Sequence, residues 1–411
     1  MIKENTTNSV LRVIARWFVG LVFLFSSFTK GVDPLGTAFK VEEYMTAWSF
    51  GGLSFEWALP LAPLLSMTLI TMEFLVGVML LTGSFRKLTA WILLLMMAFF
   101  TVTTLYDAIS NKVSDCGCFG DAVKLTNWKT FWKNIVLDVP TLFIFLTRRW
   151  PRKKKTERDI LIALAAIAAM VIFGLYNINN EPVVDFRPWK VGNRMIDNLE
   201  EGLQEVNIAT YSNSVTGEKV EFDVSKQWKE YSYILYDSTD TWQRDTIITQ
   251  SPYEVHADGF YIEDVDGLLT DEDGTDLTFK LIAAKERPVM IATIHHLQDV
   301  NERGVKAINE VKRLANERNF EFALLVYLPE DEDSIKNDDS KLVTMTRWLY
   351  DNKLMADGEI KFYFGDEKAI ETMLRSNPGF ILMSNAEVKG KWHYRNVNKI
   401  KDYPFNVRLK D

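Results

Sequence analysis

Five long apolar stretches lie in residues 1–176 of the 411-residue chain and limit what it can fold into. Residues 88–105 hold 18 residues without a charge, and residues 160–176 hold 17. The others, at 10–28, 57–83 and 131–147, carry one or two charged residues each. A helix that crosses a bilayer needs roughly 20 apolar residues, with about 17–25 tolerated. The pattern therefore predicts five transmembrane helices rather than core helices of a soluble protein.

Charge is distributed unevenly along the chain. Residues 1–176 contain 18 Lys and Arg against 12 Asp and Glu, a net charge of +6. The remaining residues contain 29 against 43, a net charge of −14. Phosphate binding needs clustered Lys and Arg, which an acidic region does not offer. We therefore expect membrane lipid around the first region and no nucleic-acid partner for the second.

The basic residues between the stretches indicate how the chain crosses the membrane. With a cytoplasmic N-terminus, 12 Lys and Arg lie inside, most of them in RRWPRKKKTER at 148–158, and five lie outside. The positive-inside rule favours this orientation. No cleavage motif follows residue 28, so the first stretch is predicted to be a span and not a signal peptide. Residues from 177 onward are then expected in a bacterial periplasm, attached to the inner membrane.

Both cysteines of the chain lie in the motif DCGCFGD, residues 115–121, between the third and fourth predicted spans. In this orientation the motif faces the exported side, where disulfides persist. A bond between Cys116 and Cys118 closes a small ring, and Gly117 gives the backbone the freedom that such a ring needs. So short a loop gains little stability from a disulfide, whereas strained and exposed disulfides tend to be redox-active.

Three interpretations of the cysteine pair remain open: a redox-active dithiol, a metal site and two inert thiols. Two thiolates are too few for a closed zinc site, although Cu(I) could use them with further ligands. Asp115 and Asp121 would raise the thiol pKa values, whereas Lys112 and Lys124 would lower them. We favour the redox-active dithiol and predict no metal.

Three stretches of this region resemble a known family. They are FVGLVFLFSSFTKGVDPLG (18–36), MEFLVGVMLLTG (72–83) and DCGCFGD (115–121). They are similar to the DoxX/MauE group of small integral membrane proteins, which are built as a four-helix bundle. MauE-type members carry Cys-x-Cys-Phe-Gly between helices three and four and are associated with the maturation of disulfide-containing periplasmic proteins. The resemblance implies thiol–disulfide chemistry at Cys116 and Cys118.

Ionisable residues inside the predicted spans complete the candidate site, because such residues usually face a partner or a functional path. An ion pair between Arg16 and Glu73 is the favoured interpretation, with Glu73 as a proton acceptor for a quinone as the alternative. Asp138 lies closer to the cysteines and is the candidate acceptor for their protons. The predicted catalytic residues are Cys116, Cys118 and Asp138, and the predicted binding residues are Gly117, Phe119, Glu73, Arg16 and Pro378.

Strand and helix patterns alternate in the C-terminal region. Residues 287–297 and 320–328 are predicted to be buried strands, and 301–319 has helical spacing between them. Residues 377–396 are predicted to form a hairpin, and strand–helix alternation of this kind indicates α/β architecture. Before this region, YSYILYD (231–237) is predicted to be a strand.

The order of these elements resembles the thioredoxin-like fold of TlpA and peroxiredoxin relatives. Pro378 occurs where those proteins carry a cis-proline, so the Asn377–Pro378 bond is predicted to be cis. Their Cys-x-x-Cys position reads HHLQDV here, and no cysteine follows Cys118. His295 and His296 are predicted to be a satisfied loop pair, with metal ligation as the alternative. This domain could not perform dithiol exchange alone.

The expected architecture is an α-helical membrane bundle followed by an α/β thioredoxin-like soluble domain. Its parts are a four-helix bundle (1–150), a basic loop with a fifth transmembrane helix (151–176), a connector with a β-rich segment (177–270) and the thioredoxin-like domain (271–411).

Two functions fit this architecture. The first is a membrane thiol–disulfide redox protein that exchanges electrons with an exported partner, with a quinone as candidate cofactor. The second is a non-enzymatic scaffold that presents a degenerate thioredoxin-like domain to periplasmic partners. Either could work within a membrane-protein complex.

Overall fold

A computed structural model divides the chain into two compact units, Met1–Arg187 (unit 1) and Pro188–Asp411 (unit 2). The described residues are 6–47, 56–111, 113, 117–123, 125–148, 156–196, 206–235, 241–250, 262–263, 278–283, 287–329, 339–355 and 360–403. Unit 1 is helical, and unit 2 contains the sheets.

Long helices make up most of the described part of unit 1. They are α1 (Thr6–Val32), α2 (Pro34–Ala47), α3 (Ala62–Thr82), α4 (Arg86–Ser110), α5 (Asn127–Leu146) and α6 (Thr156–Asn179). Helix α3 ends at Gly83, whose φ of 67° lies in the left-handed region, and its N–H bonds to Met79 O. This cap satisfies a carbonyl of the last turn and lets α4 begin at once.

Four of the described helices are long and apolar enough to cross a membrane. They cover Ser9–Val32, Trp57–Thr82, Arg86–Ser110 and Thr156–Asn179. These are the first, second, third and fifth predicted spans. The fourth predicted span forms the 20-residue helix α5, but Lys129, Lys133 and Asp138 make it less apolar than the other four.

Helix α5 packs along its whole length against α4 and α1. Its buried residues recur at helical spacing and are Asn127, Thr130, Asn134, Leu137, Thr141 and Ile144. Exposed apolar residues cover the opposite face, namely Trp128, Trp132, Val136, Val139, Leu142 and Leu146. Twenty residues extend about 30 Å, which equals the thickness of a bilayer core. The side on which unit 2 lies depends on α5 crossing, so the predicted orientation stays a prediction.

Helices α1 and α3 approach closely at two glycines. A Cβ on Gly20 would lie 3.2 Å from Gly77 O, and a Cβ on Gly77 would lie 3.1 Å from Gly20 O. Small residues allow such backbone approach in membrane bundles. Buried apolar side chains surround this contact, among them Val19, Phe23 and Val76. The contact holds the C-terminal half of α1 beside the middle of α3.

The smaller sheet of unit 2 is antiparallel. It contains β1 (Val206–Asn213), β2 (Lys219–Asp223) and β3 (Trp242–Gln250) in the order β2-β1-β3. Two short helices follow β2, α7 (Val224–Gln227) and α8 (Ser232–Leu235).

The predicted strand YSYILYD is wrong, because Ser232–Leu235 of this segment is helical. The Tyr231 ring stacks on Phe222 with 4.4 Å between ring centroids. Packing of aromatic rings against β2, which an alternating pattern cannot distinguish from strand pairing, accounts for the difference.

The larger sheet of unit 2 is mixed and has the strand order β4-β7-β6-β5-β8-β9. Its strands are β4 (Ile262–Glu263), β5 (Val289–Ile294), β6 (Glu321–Val326), β7 (Lys361–Gly365), β8 (Gly379–Ser384) and β9 (Glu387–His393). Strands β5, β6 and β7 are parallel, whereas β8 runs antiparallel to β5 and β9, and β4 antiparallel to β7. The helices around it are α9 (Thr278–Ala283), α10 (Glu302–Glu317), α11 (Asp339–Asp351), α12 (Glu367–Met373) and α13 (Val397–Lys401).

Both faces of the larger sheet are buried. On β5, Val289 and Ile291 join one apolar cluster, whereas Met290, Ala292 and Ile294 join the other. A strand covered on both faces needs a continuous apolar sequence, as this strand has. The strands predicted at 287–297 and 320–328 and the helix between them are therefore confirmed as elements.

The cis bond predicted at Asn377–Pro378 is also present. The bond directly precedes β8, which pairs with β5. The thioredoxin-like character of this sheet remains a prediction.

Candidate functional site

The structure describes residues 117–121 of the DCGCFGD motif. Cys116 and Asp115 lie outside the described residues, and so do Lys112 and Lys124. Their predicted parts in the chemistry therefore stay predictions. The geometry of the site is known through its second half, beginning at Gly117.

Two glycines shape the backbone of the motif. Gly117 has a φ of 60° and Gly120 a φ of 52°, both in the left-handed region that favours glycine. The Gly120 N–H donates to Gly117 O at 3.0 Å and closes a tight turn. A Cβ on Gly117 would also meet Lys40 Cγ at 3.1 Å. The glycine between the cysteines is therefore required by the turn and by the neighbouring lysine of α2.

Helices α1 and α5 hold the turn in place. Ser26 Oγ of α1 lies 2.8 Å from Cys118 O, within hydrogen-bond distance. The Phe119 ring packs on Phe25, with 5.4 Å between ring centroids. Lys133 Nζ of α5 lies 4.5 Å from the centroid of the same ring, in the range of a cation–π contact. The half-buried Cys118 is thus fixed against the bundle by its own carbonyl and its neighbour's ring.

A buried ion pair lies directly behind the turn. Lys30 Nζ of α1 donates to Glu73 Oε1 of α3 at 2.6 Å, and the two residues are 6% and 1% exposed. Ser26 Oγ lies 2.9 Å from Glu73 Oε2. A continuous hydrogen-bonded path therefore leads from Lys30 through Glu73 and Ser26 to the carbonyl of Cys118.

The Ser26 hydroxyl connects the carboxylate to the motif. It lies within hydrogen-bond distance of both Glu73 Oε2 and Cys118 O, yet it has a single proton to donate. An ionised Glu73 competes with Cys118 O for that proton. A protonated Glu73 can instead donate to Ser26, which frees the Ser26 proton for Cys118 O. The protonation state of Glu73 is thereby coupled to the hydrogen bond at Cys118.

These groups line a cavity of about 40 Å³, which has room for two or three water molecules. Its polar lining consists of Ser26, Lys30, Glu73, Cys118, Lys133 and Asn134, and apolar side chains form the rest. Pockets for ring-sized ligands are about 300 Å³ or larger. The cavity therefore does not fit a quinone ring, and we derive no step through one.

The predicted ion pair between Arg16 and Glu73 is wrong, because Glu73 pairs with Lys30. Arg16 Nε donates to Leu80 O at 2.8 Å, and its guanidinium lies against Gly83 at the far end of α3. The sequence analysis placed Lys30 in a loop, whereas α1 continues to Val32. Lys30 therefore lies inside the bundle, and Arg16 is more than two helical turns from the carboxylate.

The other predicted site residues lie elsewhere. Asp138 Oδ2 accepts from Thr101 Oγ1 at 2.8 Å where α5 meets α4, and Asp138 does not line the cavity beside Cys118. Its predicted role as proton acceptor stays a prediction. Pro378 belongs to unit 2, before β8. The structure therefore brings together Gly117, Cys118, Phe119 and Glu73 but not the other two.

Sequence reasoning missed Ser26, Lys30 and Lys133 as site residues. A signal for two of them existed, because Ser26 and Lys30 are four residues apart and thus share a helix face. Lys133 was noted only as a charge inside the fourth predicted span. Its place beside Phe119 depends on the packing of α5, which local spacing does not reveal.

A second buried carboxylate near the outer end of α4 was also missed. Asp107 is fully buried, and its Oδ2 accepts from the Tyr44 hydroxyl of α2 at 2.6 Å. Its Oδ1 has no hydrogen-bond partner within the part of the chain that the structure describes. The apolar stretch at 88–105 ends two residues before Asp107, so hydropathy alone assigned this residue to a loop.

Comparisons with known proteins agree with the helical part of this description. Residues 8–147 match the family of methylamine utilisation protein MauE. The chain is also 24% identical over 201 residues to Protein TlpB of Flavobacterium psychrophilum, across 48% of this chain and 53% of that protein. The chain thus spans about half the length of this relative. No solved structure matches the chain significantly. With four helices suited to crossing a membrane, residues 8–147 of this chain form a MauE-like membrane region.

Proposed function

We propose that the chain is a membrane thiol–disulfide redox protein whose Cys116 and Cys118 exchange electrons with an exported protein. One observation carries the proposal: the Cys118 turn is hydrogen-bonded to a buried network of charged groups. Burying Lys30 and Glu73 is costly, and ionisable groups inside membrane proteins usually serve function. The MauE likeness of residues 8–147 supports the same conclusion, because the resemblance implies thiol–disulfide chemistry at this motif.

The exchange balances within the chain and its partner. A thiolate of the reduced pair attacks the partner's disulfide and forms a mixed disulfide, and one partner sulfur leaves as a thiolate. The second thiol of the pair then displaces the partner, so that Cys116 and Cys118 become a disulfide and the partner a dithiol. Two electrons and two protons pass to the partner, and the reverse sequence oxidises it.

Each charged group beside the turn has a part in this chemistry. Lys30 and Lys133 line the cavity with Cys118, and positive charge favours a thiolate. Glu73 accepts the thiol proton through Ser26 or through water in the cavity, and the Lys30 ammonium stabilises the carboxylate. Asp138 is a second proposed acceptor, which would need a longer path because it lies outside the cavity.

The two units take different tasks in this proposal. Unit 1 presents the cysteine pair on the exported face of the bacterial inner membrane, with the N-terminus in the cytoplasm. Unit 2 has a thioredoxin-like fold, lies in the periplasm and holds the partner while the pair reacts. The cis bond before β8 and the strand order around β5 support that fold.

A non-enzymatic scaffold is the second candidate. The observation in its favour is that no cysteine follows Cys118, so unit 2 could only bind a partner and not exchange a disulfide with it. In a scaffold the cysteine pair would be a local brace without turnover.

Trapping of mixed disulfides separates the two functions. In cells that express Cys116→Ser or Cys118→Ser, the remaining thiol of one variant should accumulate a reducible adduct with an exported protein. The double variant is the matched control and should give no adduct. If neither single variant forms an adduct and the wild-type pair ignores oxidants in a redox titration, the protein is a scaffold.

A further inference from the structure

A second cluster of reactive side chains lies in unit 2, at the carboxyl end of β5. His295 and His296 follow this strand directly, and Glu371 comes from α12. One ligand-type atom of each of the three residues lies within 4.8 Å of the others. His295 and Glu371 are buried, whereas His296 is exposed. The three residues are 76 positions apart in the chain and meet only through the fold.

Local contacts fix the backbone of this cluster. The His296 carbonyl accepts from Asn377 Nδ2 at 2.7 Å, which connects the end of β5 to the residue before Pro378. Pro378 Cδ in turn lies 2.8 Å from the position of a Cβ on Gly304, near the start of α10. The corner is therefore held from three elements, and the histidine pair has little freedom to leave it.

His295 Nε2 is a buried polar atom without a hydrogen-bond partner among the described residues, and the residue is 5% exposed. A buried polar atom left unpaired costs about 1–3 kcal/mol, so each instance requires an explanation. The predicted satisfied histidine pair is therefore not what the fold shows at this nitrogen. The cause is that His295 points inward from the strand, where the spacing of a loop would have turned it outward.

The surroundings of His295 keep its ring neutral. Burial lowers its pKa to about 4, with His296 and Arg375 contributing in the same direction. A neutral imidazole has a lone pair on one ring nitrogen, which is the form that binds metals. The ring also interacts with the backbone of Leu374 and Ser376. A metal ligand that is oriented by its other ring nitrogen in this way is typical of protein sites.

We infer that His295, His296 and Glu371 bind a borderline divalent cation, with Zn²⁺ as the best match. Two imidazoles and one carboxylate form a common zinc ligand set, and they leave a fourth position for water or for a ligand from a partner. Metal binding assigns a partner to the unpaired His295 Nε2. The inference uses neither cysteine and is independent of the proposed redox function.

Binding requires a modest contraction of the cluster. Zinc ligands lie about 2.0–2.2 Å from the ion, so the three donor atoms must approach more closely than 4.8 Å. The exposed His296 can supply this movement, because its Nε2 now lies 3.6 Å from Glu367 Oε1 at the surface. Arg375 is the nearby cation that opposes an ion, and its guanidinium donates to the Glu371 carbonyl at 2.9 Å. The carboxylates of Glu371 and Glu367 offset that charge.

Zinc titration of the metal-stripped full-length protein in detergent tests the inference. The background is Cys116→Ser/Cys118→Ser, which removes thiolate binding, and the purification tag contains no histidine. We expect one Zn²⁺ per chain. His295→Gln and Glu371→Gln should each weaken binding at least about tenfold, because even the loss of an outer-shell contact costs 10–100-fold. The matched control is His393→Gln, a buried histidine outside the cluster, which should leave the affinity unchanged.

His296→Gln covers the case in which a buried substitution prevents folding, since this side chain is 47% exposed. It should weaken zinc binding in a protein that still unfolds cooperatively. Cobalt loading gives a second readout, because tetrahedral Co²⁺ produces visible absorption that these variants should lose. No zinc binding by the parent protein, or equal affinity in the parent and all three variants, would overturn the site.

Discussion

The Cys118 turn of unit 1 and the His295 corner of unit 2 solve the same problem differently. Both place reactive side chains beside buried polar groups. In unit 1 the polar groups are fully connected, from Lys30 through Glu73 and Ser26 to the backbone of the motif. In unit 2 a buried ring nitrogen has no hydrogen-bond partner within the described residues.

This difference indicates where chemistry and where binding take place. A connected network can move protons without admitting an external ligand, which suits an exchange reaction at a cysteine pair. An unconnected nitrogen has a vacancy for an external ligand. The account therefore assigns electron exchange to the membrane region and ligand binding to the C-terminal unit, and each assignment can be broken separately.

The largest effect is expected from the cysteines. Cys116→Ser or Cys118→Ser should abolish cycling between dithiol and disulfide, because either change removes one sulfur of the only pair. Alkylation of free thiols followed by a gel-mobility shift measures this directly. His295→Gln is the matched control in the other unit and should leave cycling intact. Residual cycling in a single-cysteine variant would contradict the assignment of electron exchange to this pair.

Next in size is the effect of breaking the buried pair. Glu73→Leu leaves the Lys30 ammonium in the bundle without this carboxylate, which should lower the free energy of unfolding by about 3–5 kcal/mol. Lys30→Met/Glu73→Leu removes both charges and should recover most of the loss. Thermal unfolding in detergent compares the variants. Equal unfolding temperatures for Glu73→Leu and the double variant would mean that the pair is not a unit.

Proton transfer should respond more to Glu73 than to Asp138. General acid–base groups typically contribute about 10²–10⁴-fold to a rate. We expect Glu73→Gln to slow exchange by about 100-fold at a temperature where the variant is folded. Asp138→Asn should have a much smaller effect, because Asp138 bonds to Thr101 and lies outside the cavity. Stopped-flow exchange with a small disulfide measures both, and a larger effect of Asp138→Asn would move the proton path to α5.

The smallest effect is expected at the surface of unit 2. Hydrogen bonds from Arg313 and Lys401 lower the pKa of Glu310 to about 2. A carboxylate with a lowered pKa contributes stability above its ordinary pKa near 4.5, and this contribution is lost as the pH falls toward 2. Exposed ion pairs contribute little, so Glu310→Gln should cost about 0.5 kcal/mol at pH 7 and nothing near pH 2. Unfolding at the two pH values checks this, and a cost above that of breaking the Lys30–Glu73 pair would reverse the comparison.

Hydropathy and spacing predicted the elements that depend on local pattern. The spans at 88–105 and 160–176 and the buried strand β5 are of this kind, since each is apolar over its whole length. The glycine turn between the cysteines was predictable for the same reason. The partner of Glu73 was not, because one turn of helix separates a lysine in a loop from a lysine in the bundle. Nor was the proximity of His295 to Glu371, which the pairing of β5 with β8 creates over a long separation in sequence.

Labelling of the cysteine pair from outside the cell tests the central claim most directly. A membrane-impermeant maleimide should modify Cys116 and Cys118 in intact, reduced spheroplasts. A cysteine placed at Lys153→Cys in a protein without the native pair should react only after the membrane is opened. The opposite pattern, with the lysine-rich loop outside and the native thiols protected, would contradict an exported cysteine pair and the exchange reaction built on it.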